Sequence, residues 1–132
     1  MRVVDASLVL GWLLGQPARP GSHDVLERHL TGRDPLVAPE LLCYEVAKVL
    51  VTGARLPGAL AAEAYAHFFS LEIATYSLGE REYSEALALA ARYRITVYDA
   101  SYAALARALD CALVTADARL ARALPRGAVD LV

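Results

Sequence analysis

The sequence predicts an α/β fold, a three-layer α/β/α domain around a central parallel sheet of about four to five strands. Three observations predict it. Short apolar runs alternate with helical stretches along the whole chain, the pattern of strands joined by crossover helices. The apolar runs are too short for helices and read as buried strands. The 132 residues suit one domain, here residues 1–132, and contain no internal repeat, low-complexity tract or linker.

Residues 2–5 (RVVD) read as a short buried strand ending in an acid, and 7–14 (SLVLGWLL) as a helix. Residues 16–21 (QPARPG) are a loop by their Pro and Gly content. A second helix covers 22–30, with Ser22 as its expected cap. Residues 35–38 (PLVA) form a strand bounded by prolines, and Pro39 suits the first position of a helix running to about Thr52. Gly53 and Pro57-Gly58 punctuate, and a helix follows over 58–70. Residues 72–76 (EIATY) read as a strand, 79–93 as a strong helix and 99–109 as an Ala-rich helix. Residues 112–115 (ALVT) form a buried strand, 117–124 a short helix and 128–131 (AVDL) a last edge strand.

Composition excludes several classes. A chain that is 57% hydrophobic and 21% charged is not disordered. A domain near this size buries about 68–70% of its unfolded surface, enough for a core without disulfides. The apolar surplus over the usual ~45–50% points to a partner subunit. A net charge of −2 excludes a generally basic nucleic-acid binder but not a local basic patch. Of the 13 basic residues, twelve are Arg and only Lys48 is Lys. There is no Asn and only one Gln, Gln16, as in a hot environment or a GC-rich genome. Cys43 and Cys111 lie far apart in apolar runs, which argues for small buried hydrophobes rather than a disulfide or zinc site. His23, His29 and His67 lack metal-ligand spacing. The longest charge-free stretch, from Ala6 to Ala18, is too short to span a membrane. It follows Asp5 directly and leads to no clear cleavage site, so a cytoplasmic location is expected.

The chemistry lies in the acids. RVV leads to Asp5-Ala6-Ser7, and ALV leads to Thr115-Ala116-Asp117. If these strands are parallel neighbours, Asp5 and Asp117 face one crevice, because ligands of open α/β sheets bind outside the carboxyl ends of the strands. Asp99 follows the apolar ITVY and opens a helix. Each of these three also suits a helix N-cap, worth about 1 kcal/mol. Ser7 and Thr115 add hydroxyls that equally suit capping and strand-end hydrogen bonding. Glu45 sits on the apolar stripe of its helix, one turn from Leu41 and from Val49. A carboxylate there needs a partner or a metal, the bland alternative being an exposed Glu45–Lys48 pair. Four acids in one pocket repel one another. A hard cation such as Mg²⁺ resolves this with oxygen ligands, and no Cys or His cluster argues for zinc.

Four blocks, VVDASLVLGWLL, APELLCYEVAKVL, VYDASYAALA and LVTADARLARAL, resemble in order and spacing the signature blocks of PIN domains. The similarity is greatest to the VapC-type ribonuclease toxins of toxin–antitoxin pairs, and it runs from about Val3 to Leu124. The resemblance implies a PIN-like domain and a metal-dependent endoribonuclease using Mg²⁺ or Mn²⁺. It places the acidic quartet on Asp5, Glu45, Asp99 and Asp117 as catalytic and metal-binding residues, with Ser7 and Thr115 in support. It also implies an RNA substrate, a cognate VapB-like antitoxin and a homodimer. One departure stands out: Lys48 replaces a residue that is often Asn in these toxins.

Two other functions compete. A protein-binding module with little or no nuclease activity would use apolar helix surface such as Tyr65, Phe68 and Phe69. A phosphotransfer domain would want Asp-x-Asp or a late Lys, and the chain has Asp5-Ala6-Ser7 and no Lys after Lys48. RNA contacts are expected among Arg19, Arg81, Arg92, Arg94, Arg107, Arg119 and Arg122, since guanidinium suits phosphate.

Overall fold

The computed structural model describes residues 1–16 and 20–132. Five short strands, β1 (Arg2–Val4), β2 (Leu36–Pro39), β3 (Ala74–Tyr76), β4 (Leu113–Thr115) and β5 (Val129–Leu131), form one sheet in the order β3-β2-β1-β4-β5. Every pairing is parallel. Among the described residues, seven α-helices connect them: α1 (Ala6–Leu13), α2 (Ser22–Leu30), α3 (Leu41–Lys48), α4 (Gly58–Ser70), α5 (Glu80–Tyr93), α6 (Val97–Ala108) and α7 (Ala118–Ala123).

Neighbouring residues of a strand face opposite sides of a sheet. Val3 and Val4 in β1 and Leu113 and Val114 in β4 are all fully buried, so both faces of the sheet are covered, as parallel sheets require. Helix α6 lies against β1, β2 and β4 with α5 packed over it. Helices α1, α3 and α4 pack on one another, with α1 against β4 and α3 against β2. These two groups make the outer layers of an α/β/α sandwich. The core is mostly aliphatic, with Val3, Val9, Leu42, Val46, Ala86 and Ala100 among its fully buried members beside the aromatic Phe68 and Tyr102.

The chain builds β1, β2 and β3 outward in one direction, then crosses back to lay β4 and β5 on the other side of β1. The strand order therefore reverses between β1 and β4. The crevice beyond their carboxyl ends is where an open α/β sheet takes a ligand.

Each predicted strand and helix is present, with shifted bounds, and three local expectations are corrected. Ser22 does not cap α2. Gly21, with a φ of 101°, holds that position, and the Ser22 hydroxyl instead accepts a 2.7 Å hydrogen bond from the Trp12 indole. Pro39 does not open α3 but ends β2, opposite Tyr76 of β3, where its missing N–H costs the sheet least. The helix expected to reach Thr52 is α-helical only to Lys48. Val49–Gly53 is a π-helical turn, in which the Ala54 amide reaches the Val49 carbonyl at 2.7 Å. The predicted loop at 16–21 falls partly on residues 17–19, outside the described residues.

Candidate active site

Asp5 follows β1 and caps α1, its Oδ1 accepting the Leu8 amide at 3.2 Å. Two hydroxyls complete its surroundings. Ser7 donates to Oδ1 at 2.7 Å and Thr115 donates to Oδ2 at 2.5 Å. The second bond ties the carboxyl end of β4 to that of β1, across the point where strand order reverses. Ser7 also accepts the Ala116 amide at 3.0 Å, and Thr115 accepts the Asp117 amide at 2.9 Å. Asp5 and Thr115 are buried, at 5% and 0% exposure. Burial pushes the Asp5 carboxyl above the usual range against the pull of its three donors, and the charge of Asp117 adds to the rise.

Asp117 caps α7, its Oδ1 accepting the amides of Arg119 at 2.7 Å and Leu120 at 3.2 Å. Asp99 is not the cap of α6. Thr96 takes that place by accepting the Asp99 amide at 3.0 Å, which leaves the Asp99 carboxylate free of helix duty. Two of the three predicted aspartates are therefore caps, as the bland reading held. All three nonetheless gather at the same end of the sheet.

Glu45 is half-buried at the edge of the stripe that Leu42 and Val46 form on α3 and Leu50 continues in the π-helical turn. Its Oε2 accepts a 2.5 Å hydrogen bond from the Tyr102 hydroxyl. Tyr102 is 2% exposed and stands one turn after Asp99 on α6, so it docks Glu45 onto the helix that carries Asp99. Burial raises the Glu45 carboxyl, the Tyr102 hydrogen bond lowers it, and Asp99 and Asp5 raise it further. Lys48 lowers it from a distance, and no Glu45–Lys48 ion pair forms among the described residues. The four acids thus sit in one electrostatic neighbourhood. Sequence reasoning missed Tyr102, whose only signal was a hydroxyl inside an apolar helix run.

The donor set is all oxygen, the chemistry of a hard divalent cation. A cation is already drawn to it, since the Arg119 guanidinium lies 3.7 Å from Asp99 and 3.6 Å from Asp117. Among the described residues no three acids stand close enough to grip one ion as placed. Mg²⁺ needs only one or two direct carboxylates and keeps several waters, so the residues fit such an ion.

A family model described as the PIN domain matches residues 2–123. The chain belongs to the PIN-domain family. Within that family it is 37% identical over 126 residues to ribonuclease VapC9 of Mycobacterium tuberculosis, covering 91% of this chain and 88% of the relative. The VapC ribonuclease Mb0985 of Mycobacterium bovis matches to the same extent. Among solved structures, the PAE2754 protein of Pyrobaculum aerophilum superposes with a TM-score of 0.71 at 27% identity, over 98% of this chain and 88% of that one. This PIN domain carries its buried acid, both supporting hydroxyls and the gathered carboxylates at the strand-order reversal.

Of the arginines expected to meet RNA, Arg119 alone among the described residues is placed against these acids. Arg107 pairs with Glu85, Arg92 lies over the Tyr93 ring, Arg94 ends α5 with a φ of 54°, and Arg19 lies outside the described residues. Both cysteines are free and half-buried, and no described helix is long and apolar enough to cross a membrane.

Proposed function

We propose that the chain is the toxin ribonuclease of a toxin–antitoxin pair and hydrolyses RNA phosphodiester bonds with Mg²⁺, or Mn²⁺, at these acids. The observation that carries the reading is the Asp5–Thr115 hydrogen bond across the strand-order reversal, which fixes a buried carboxylate where the fold binds ligands. The match to VapC ribonucleases supports the toxin assignment.

Asp5, Asp99 and Asp117 would hold the ion, directly or through water. When bound, the ion neutralises charge on the phosphate oxygens and lowers the pKa of a bound water. Ser7, Thr115 and the Leu8 amide hold Asp5 in one rotamer by occupying both of its oxygens. Tyr102 holds Oε2 of Glu45. Oε1 has no protein partner among the described residues and is free to orient the attacking water. That water adds to phosphorus and gives up a proton to solvent, the P–O ester bond breaks, and the leaving oxygen takes a proton from solvent.

The expected partners are an antitoxin protein and a second copy of this chain, in the cytoplasm. Of the apolar residues singled out for partners, Phe68 is core at 3% exposure, while Phe69 is 61% exposed. A sedimentation mass equal to one 14.2 kDa chain would remove the second copy.

The test is cleavage of a folded RNA mixture by antitoxin-free protein with Mg²⁺, Mn²⁺ or EDTA. Cleavage is expected with either ion, none with EDTA, and a loss of at least about a hundredfold in Asp99→Asn, the scale of losing one element that stabilises developing charge. Cleavage unchanged in both Asp5→Asn and Asp99→Asn would refute the site. Absence of cleavage by protein that still binds the ion would point to a specific RNA target missing from the mixture, and absence of both cleavage and ion binding would favour the binding-module reading.

A further inference from the structure

Asp117 spends Oδ1 on capping α7, and its Oδ2 faces the Arg119 guanidinium at 3.6 Å. The same Arg119 Nη2 lies 3.7 Å from Oδ2 of Asp99. Neither distance is a hydrogen bond. The Arg119 side chain is 74% exposed and has no other acidic partner among the described residues. Charge alone, spread over two carboxylates from different helices, draws it there. Two carboxylates brought together by the fold repel one another unless a cation stands between them. In the ion-free protein that cation is Arg119.

We propose that Arg119 occupies the divalent ion's place between Asp99 and Asp117, so that the ion enters by displacing the guanidinium. The inference rests on the metal-site reading above. Exposed ion pairs without hydrogen bonds are weak and screened by salt, so displacement asks little of the incoming ion but lowers its apparent affinity. The backbone amide of Arg119 stays bonded to Asp117 throughout, so the freed side chain swings about a fixed stem at the rim of the site. A guanidinium there suits a phosphate oxygen of the substrate. Arg119 is thus a positioning residue: it holds the acids together while the ion is away and yields to it.

The experiment is a calorimetric Mn²⁺ titration of metal-stripped wild type, Arg119→Gln, Arg119→Lys and Asp99→Asn, with a thermal melt of each without ion. Arg119→Gln is expected to bind Mn²⁺ about two- to tenfold more tightly than wild type, the range set by weak exposed pairs. Arg119→Lys keeps the charge and stays near wild type. A merely structural role would weaken binding in Arg119→Gln, so the sign separates the two. Equal or weaker binding by Arg119→Gln, with binding lost in Asp99→Asn, would overturn the displacement and leave the metal site standing. Wild-type binding by Asp99→Asn would instead overturn the metal site itself. Because Arg119 is exposed, Arg119→Gln should melt within a few degrees of wild type, and the charge-keeping Lys variant repeats the comparison on a second fold-neutral change.

Discussion

Asp5 serves the fold and the site with the same two oxygens. It caps α1, receives a hydroxyl from each side and stays buried. Its carboxyl, like that of Glu45, is raised chiefly by burial. A carboxyl raised in the fold favours folding below its unfolded pKa, and that contribution is lost as pH rises through the folded value. The ion-free protein is therefore expected to lose stability as pH rises above about 4, the ordinary carboxyl range, on account of these two groups. Thermal melts in EDTA at pH 5 and pH 7 should show a smaller loss in Glu45→Gln than in wild type. An equal loss would show that Glu45 titrates normally. The aspartates and their hydroxyls were legible because strand-end Asp-x-Ser and Thr-x-Asp stand out in four-residue windows. Tyr102 was not, because its partner Glu45 lies 57 positions away on a helix of the opposite layer, and only the folded arrangement of the two layers brings them together.

At the scale of elements, short-range signals located each strand and helix but not its exact ends. The ends were decided by tertiary partners. Trp12 takes the Ser22 hydroxyl away from capping α2, and pairing with β3 draws Pro39 into β2. His29 shows the same effect, since it read as an ordinary histidine. In the fold its Nε2 stands 2.6 Å from the Leu71 carbonyl, and its Nδ1 accepts the Leu36 amide at 3.0 Å. One ring thus joins α2, the start of β2 and the end of α4, donating through Nε2–H. Removing it strands a donor and an acceptor from two elements. His29→Ala is expected to cost about 1–3 kcal/mol by denaturant melts, and the exposed His23→Ala to stay within about 0.5 kcal/mol. Equal effects would show that the ring carries no such link.

At the scale of the whole molecule, the path of the chain is what makes four scattered acids into one site. Sequence alone gave strands that end in acids. It did not give their order, and only the order β3-β2-β1-β4-β5 sets β1 beside β4 and lets Asp5 meet Thr115 across 110 positions. Helix α6 then brings Asp99 from one outer layer, and α3 brings Glu45 from the other. The path of the chain implies that the carboxyl-end crevice holds the divalent ion. This is tested most directly by a crystal soaked in Mn²⁺ with anomalous diffraction recorded at a wavelength where Mn scatters. The expected result is a peak flanked by Asp5, Asp99 and Asp117, with the Arg119 guanidinium moved aside. A peak bound elsewhere on the chain, with these acids unchanged, would contradict it.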